Sequence, residues 1–113
     1  MFSLFGFVQW VEAQSVNCAE LIHSVEQEGH RREFIGPVSL VNSHWLYSVA
    51  LYELDGSYAV IAVIKQGFIG RKYVFCDISK SRWTAFRSGL NDLGTTFGER
   101  FQQYIMECRC DCS

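Results

Sequence analysis

An Asp-Gly pair, Asp55-Gly56, stands between two runs rich in β-forming residues, and no other feature limits the fold as much. The runs are residues 44–54 and 57–65. Two residues that both tolerate positive φ, placed between two strands, make a tight hairpin, so these runs are expected to pair antiparallel. A further strand over residues 71–78 follows a turn from Gly67 to Gly70. Residues 34–41 add another, broken at Gly36-Pro37.

Helical patterns flank this region. Asn17 is a good N-cap with Glu20 three residues later. Cys18, Leu21, Ile22 and Val25 then form one apolar stripe, and Gly29 supplies a stop, which predicts a helix over 17–29. Ser79 caps a predicted helix through Ser88, with Trp83 and Phe86 inward and Gly89 as its stop. Thr96 and Glu99 have capping-box spacing, and Phe97, Phe101, Tyr104, Ile105 and Cys108 continue helically. Gly98 in that first turn costs up to ~1 kcal/mol against Ala, so a conformational or packing reason is expected. Residues 2–13 are apolar on both alternating sets, which suits a strand buried on both faces or, alternatively, a short helix. The expected class is α+β: an antiparallel β-meander of about 3–5 strands, with one N-terminal and two C-terminal helices packed on one face. Trp45, Val49, Leu51, Ile61, Val63, Val74, Phe101 and Ile105 are the expected core.

The chain of 113 residues is one domain's worth, and 49% hydrophobic with 15% aromatic content is enough for a dense core. A net charge of -2 creates no global field for nucleic acid or an anionic membrane. The apolar N-terminus has no preceding Lys or Arg and is interrupted by Glu12, so it makes a poor signal peptide. No stretch approaches the ~18 apolar residues of a spanning helix. A cytoplasmic protein without a membrane partner is expected.

The five cysteines argue the same way. Cys18 and Cys76 read as buried free thiols. Cys108, Cys110 and Cys112 form a terminal Cys-x-Cys-x-Cys, open to metal binding, to modification or disulfide formation, or to no role beyond a mobile tail of free thiols. The last is adopted, because no fourth ligand is evident and a secreted disulfide scaffold would spread its cysteines along the chain. His23 and His30 lie two helical turns apart, ~10 Å, too far to share one ion. No metal or other cofactor is expected.

No Gly-x-Ser-x-Gly elbow or paired carboxylates suggest catalysis. Gly67-Phe-Ile-Gly70-Arg-Lys echoes a phosphate loop but lacks its ending and leads into a strand. No catalytic residue is assigned, and a non-enzyme is expected. The stronger lead is basic. Residues 65–87 carry Lys65, Arg71, Lys72, Lys80, Arg82 and Arg87 against Asp77 alone, a local +5. On a strand, Arg71, Tyr73 and Phe75 share one face. Two aromatics beside an arginine resemble the stacking platforms of single-strand binders. The competing reading puts Tyr73 and Phe75 under the following helix, against Trp83 and Phe86. The candidate binding residues are therefore Arg71, Lys72, Tyr73, Phe75, Lys80, Arg82 and Arg87.

Tyr73-Val-Phe75-Cys-Asp77-Ile78 resembles the central Tyr-x-Tyr segment of the KTSC domain, a small module found at the C-terminus of some lysyl-tRNA synthetases and free-standing in bacteria and phages. Val41-Asn-Ser43 and the hairpin of residues 44–65 match what precedes that segment, and Gly98-Glu-Arg-Phe101-Gln-Gln-Tyr-Ile105 has the spacing of the family's last motif. Phe75 replaces a tyrosine, Ser79 a proline and Gln102 an asparagine, and extra residues stand around 89–95. The resemblance covers residues 41–106, leaving 1–40 as an N-terminal extension and 107–113 as a Cys-rich tail. It implies contact with RNA or protein and brings no catalytic residues. The expected function is a binding module for nucleic acid (RNA or single-stranded) or a partner protein, with homo-oligomerisation left open. The alternative is a small phage-type inhibitor that blocks a larger host protein.

Overall fold

The computed structural model describes residues 16–90 and 92–113. The strand expected over residues 2–13 lies outside them. Helix α1 (Cys18–Glu28) is followed by strands β1 (His30–Ile35), β2 (Leu46–Leu54), β3 (Ser57–Gln66) and β4 (Ile69–Phe75). Helices α2 (Lys80–Ser88) and α3 (Phe97–Tyr104) and a 3-10 turn (Met106–Cys108) complete the chain. The sheet is antiparallel in the order β1-β2-β3-β4, the meander expected for an α+β domain.

Local chemistry sets most boundaries. Asp55 and Gly56 both take positive φ, 52° and 80°, and join β2 to β3 with a two-residue turn. The β3–β4 connection is tighter than expected. Gly67, with φ 67°, and Phe68 alone form the turn, and Ile69 already pairs with Gln66. Asn17 Oδ1 accepts from the Ala19 and Glu20 amides at the start of α1. Ser79 caps α2 through the Arg82 amide, and Gly89 ends that helix with φ 66°. Thr96 and Glu99 make a full capping box on α3. The strand expected at 34–41 instead occupies His30–Ile35, because Pro37 begins a series of turns.

The helices are not all on one face. Alternation along the strands sends Val49, Leu51, Val60, Ala62 and Phe75 to one side, where they meet Trp83, Phe86, Phe101 and Ile105 of the C-terminal helices. Ala59, Ile61 and Val74 point to the other side and meet Ile22 and Val25 of α1. The expectation of one covered face failed because β3 is apolar on both sides, as is the end of β4 at Val74 and Phe75, and each side recruits its own helices. Of the expected core, Val49, Leu51, Ile61, Val74, Phe101 and Ile105 are buried, whereas Trp45 and Val63 are only partly covered.

The cysteines also depart from expectation. Cys18 is bonded to Cys112 and Cys76 to Cys110, with Cα separations of 5.0 and 4.9 Å. Cys108 is the free cysteine. The C-terminal segment is therefore anchored. Cys76 N donates to Cys108 O at 2.8 Å, Cys110 N to Val74 O at 3.5 Å, and Ser113 N to Val16 O at 3.0 Å. Reading Cys18 and Cys76 as free thiols failed because sequence spacing does not reveal that the tail touches the end of β4 at Phe75 and then crosses to the start of α1. No helix among the described residues is long and apolar enough to cross a membrane.

Candidate binding surface

The register of β4 against β3 sorts the candidate residues. Arg71, Tyr73 and Phe75 face α2 and α3, while Lys72 and Val74 face α1. Phe75 is fully buried and stacks edge-on against Phe101 at 5.3 Å between ring centroids. It is core, as the competing reading had it, and no ligand reaches it. Tyr73 is half-covered. Its hydroxyl accepts from Gln66 Nε2 at 2.8 Å, and the Arg109 guanidinium lies over its ring at 5.5 Å.

The cations disperse in the fold. Lys72 Nζ meets Glu26 of α1 at 2.7 Å. Arg82 pairs with Glu107 at 2.5 Å and also donates to the Tyr104 carbonyl. Arg87 Nε donates to Glu33 Oε1 at 2.8 Å, while Trp83 Nε1 donates to the other oxygen of that carboxylate at 3.1 Å. Arg71 and Lys80 are exposed and make no salt bridge among the described residues. The local +5 is thus split between two faces of the sheet and half consumed by the chain's own carboxylates. Exposed pairs of this kind contribute little stability, but they lower the field a phosphate would meet.

One apolar feature remains unsatisfied at this end of the sheet. Phe68 is 109% exposed and Ile69 72% exposed, side by side at the tip of the β3–β4 hairpin. Lys65 and Arg71 flank them on the two strands. The Lys65 ammonium lies 5.7 Å from the ring centroid of Tyr47, itself 44% exposed. Reading Gly67–Gly70 as one long turn hid this arrangement. The available signal was an aromatic at a turn position where Gly, Asn, Asp and Ser normally dominate.

A cleft of ≈ 380 Å³ between β1 and α2 is lined by Arg32, Glu33, Leu51, Tyr58, Lys80, Trp83 and Thr84. Its Glu33 carboxylate accepts from Trp83 Nε1 and Arg87 Nε. His23, His30 and His44 are exposed on separate elements, and no three His, Cys, Asp or Glu side chains among the described residues cluster to hold a metal. The chain matches no family model, and neither the curated proteins nor the solved structures contain a match to it.

Proposed function

We propose that the chain is a non-enzymatic binding module that engages a partner protein through the tip of the β3–β4 hairpin. The observation that carries this reading is the exposed Phe68-Ile69 pair on a two-residue turn. A buried aromatic anchor supplies a large share of interface energy, and a tight turn leaves little freedom to lose on docking. Lys65 and Arg71 beside the tip favour a partner whose pocket has an acidic rim.

The ion pairs of Lys72, Arg82 and Arg87 favour a protein over a nucleic acid, which would meet only Lys65, Arg71 and Lys80 of residues 65–87 without a salt bridge among the described residues. The resemblance of residues 41–106 to the KTSC domain supports a contact module by association. Its motif residues Phe75, Gly98, Phe101 and Ile105 are all buried here, which suits structural roles. A small inhibitor of a larger host protein, the alternative raised by the sequence, would use the same tip. Two disulfides favour a compartment less reducing than the expected cytoplasm.

The test is affinity capture from extracts of the source cells. A partner retained by the native chain should be lost with Phe68→Ser and Ile69→Ser together. Retention should be indifferent to nuclease and only weakly dependent on salt. Capture abolished by nuclease, or unchanged by the two substitutions, would reject this reading.

A further inference from the structure

We infer that β4 accepts an added strand from an acidic, extended segment of a partner protein along Ile69–Tyr73. The inference rests on the hairpin being the contact surface and specifies how the contact is made.

In a hairpin closed by a two-residue turn, the flanking pair exchanges both main-chain hydrogen bonds, and such pairs alternate along the ladder. Gln66 and Ile69 flank the turn, and the register continues through Ile64↔Arg71, Ala62↔Tyr73 and Val60↔Phe75 without a bulge. Ile69, Arg71, Tyr73 and Phe75 therefore direct their N–H and C=O groups at β3. Gly70, Lys72 and Val74 direct theirs outward. The tail reveals the outward direction at one end, where Val74 O accepts from Cys110 N and Cys76 N donates to Cys108 O around an antiparallel Phe75↔Arg109 bridge.

Had the tail continued along β4, Asp111 would stand opposite Tyr73 and Ser113 opposite Arg71. Instead Cys112 N turns back to Cys110 O at 3.0 Å, and Cys112 is bonded to Cys18. Ser113 O then accepts from Cys18 N at 3.0 Å. The cystine draws the tail onto α1, and the outward groups of Gly70 and Lys72 make no main-chain hydrogen bond among the described residues. The other edge of the sheet is different. β1 is interrupted by a bulge at Arg32, a feature that discourages pairing.

Charge selects the occupant. A second copy pairing antiparallel about Arg71 would set that guanidinium opposite its own counterpart, and one pairing about Lys72 would do the same with that ammonium; like charges directly opposite on a ladder repel. An acidic side chain opposite Arg71, with apolar neighbours toward Ile69, has no such conflict. Main-chain bonds would supply affinity, and these side chains would supply specificity.

The probe is a synthetic peptide of alternating glutamate and valine, long enough to span Ile69–Tyr73, added to the full chain with both disulfides intact. Saturation should slow amide hydrogen exchange at Gly70 and Lys72. Lys72→Pro removes an outward N–H without touching the β3 ladder, and it should weaken binding by at least about tenfold. Lys72→Ala removes the same ammonium and should change binding by no more than about threefold. Should Lys72→Pro misfold, exchange in the native chain decides. The inference is overturned if the peptide fails to bind at about 1 mM, if Lys72→Pro binds as well as Lys72→Ala, or if the Gly70 and Lys72 amides are already protected in the isolated chain or in a dimer of it. Peptide binding lost with Phe68→Ser but kept with Lys72→Pro would reject strand addition and leave the hairpin reading intact. A captured partner indifferent to Phe68 and Ile69 would instead reject the hairpin reading itself.

Discussion

Gly98 lies where the first turn of α3 meets Ser43 and Trp45, and a β-carbon there would stand 2.8 Å from Ser43 Oγ and 3.2 Å from Trp45 Nε1. Ser43 is buried and its hydroxyl accepts from the Leu46 amide at 3.3 Å, so it has little room to move. Gly98→Ala should therefore destabilise by about 1–3 kcal/mol in chemical denaturation, despite the better helix propensity of Ala. A gain in stability would show that the contact yields freely. Phe68 is the opposite case, since it touches nothing that the fold needs. Phe68→Ser should leave stability within about 0.5 kcal/mol, so any loss of binding reports on contact and not on unfolding. Tyr104 offers a third residue-scale test. Its hydroxyl donates to the Asp92 carboxylate, and that hydrogen bond, with some desolvation and the nearby negative charge, raises the phenol pKa above that of free tyrosine. A raised value means the folded state holds the proton more tightly. The stabilisation is complete below the unfolded pKa, near ~10, and is lost as pH rises through the folded one. Asp92→Asn should lower the Tyr104 titration seen in ultraviolet absorbance, and an unmoved titration would show that the bond does not form.

The elements divide into those written in local chemistry and those set by distant partners. The caps at Asn17, Ser79 and Thr96 and the Asp55-Gly56 turn were legible because each depends on a few adjacent residues. The side of the sheet that α1 covers was not legible. The apolar run of residues 57–65 reads as a strand with helices on one face, and nothing in its local chemistry says which helix meets which side. The cysteines were misread for a related reason, because disulfide pairing is a property of proximity and not of spacing. Cys18–Cys112 closes a sequence separation of 94 residues and Cys76–Cys110 one of 34. In the chain-entropy account, removing either bond by Cys→Ser at Cys112 or Cys110 costs about 3–5 kcal/mol. Denaturation of each variant beside the native chain measures this. An unchanged midpoint for both would mean that the tail does not constrain the unfolded chain as described.

At the scale of the whole molecule, the sheet has helices on both faces, and among the described residues the β3–β4 tip and the outward side of β4 from Ile69 to Tyr73 are uncovered. The basic segment that drew attention in the sequence proved to be a sum over residues facing different ways. Lys72 reaches α1, Arg82 reaches the end of α3 and Arg87 reaches β1. A linear count of charge cannot register that divergence, nor the carboxylates that meet each cation. The same projection hid the tip, since Phe68 looked like one more aromatic in a chain with nine Phe. Its full exposure is a property of the folded turn. Placing a photoreactive benzoylphenylalanine at position 68 and, in a second chain, at the exposed Thr84 of α2 tests the account most directly. Irradiation in the source cells should join the position-68 chain to a discrete protein, with no adduct from position 84. An adduct from position 84 with none from position 68, or cross-linking at position 68 to nucleic acid, would contradict it.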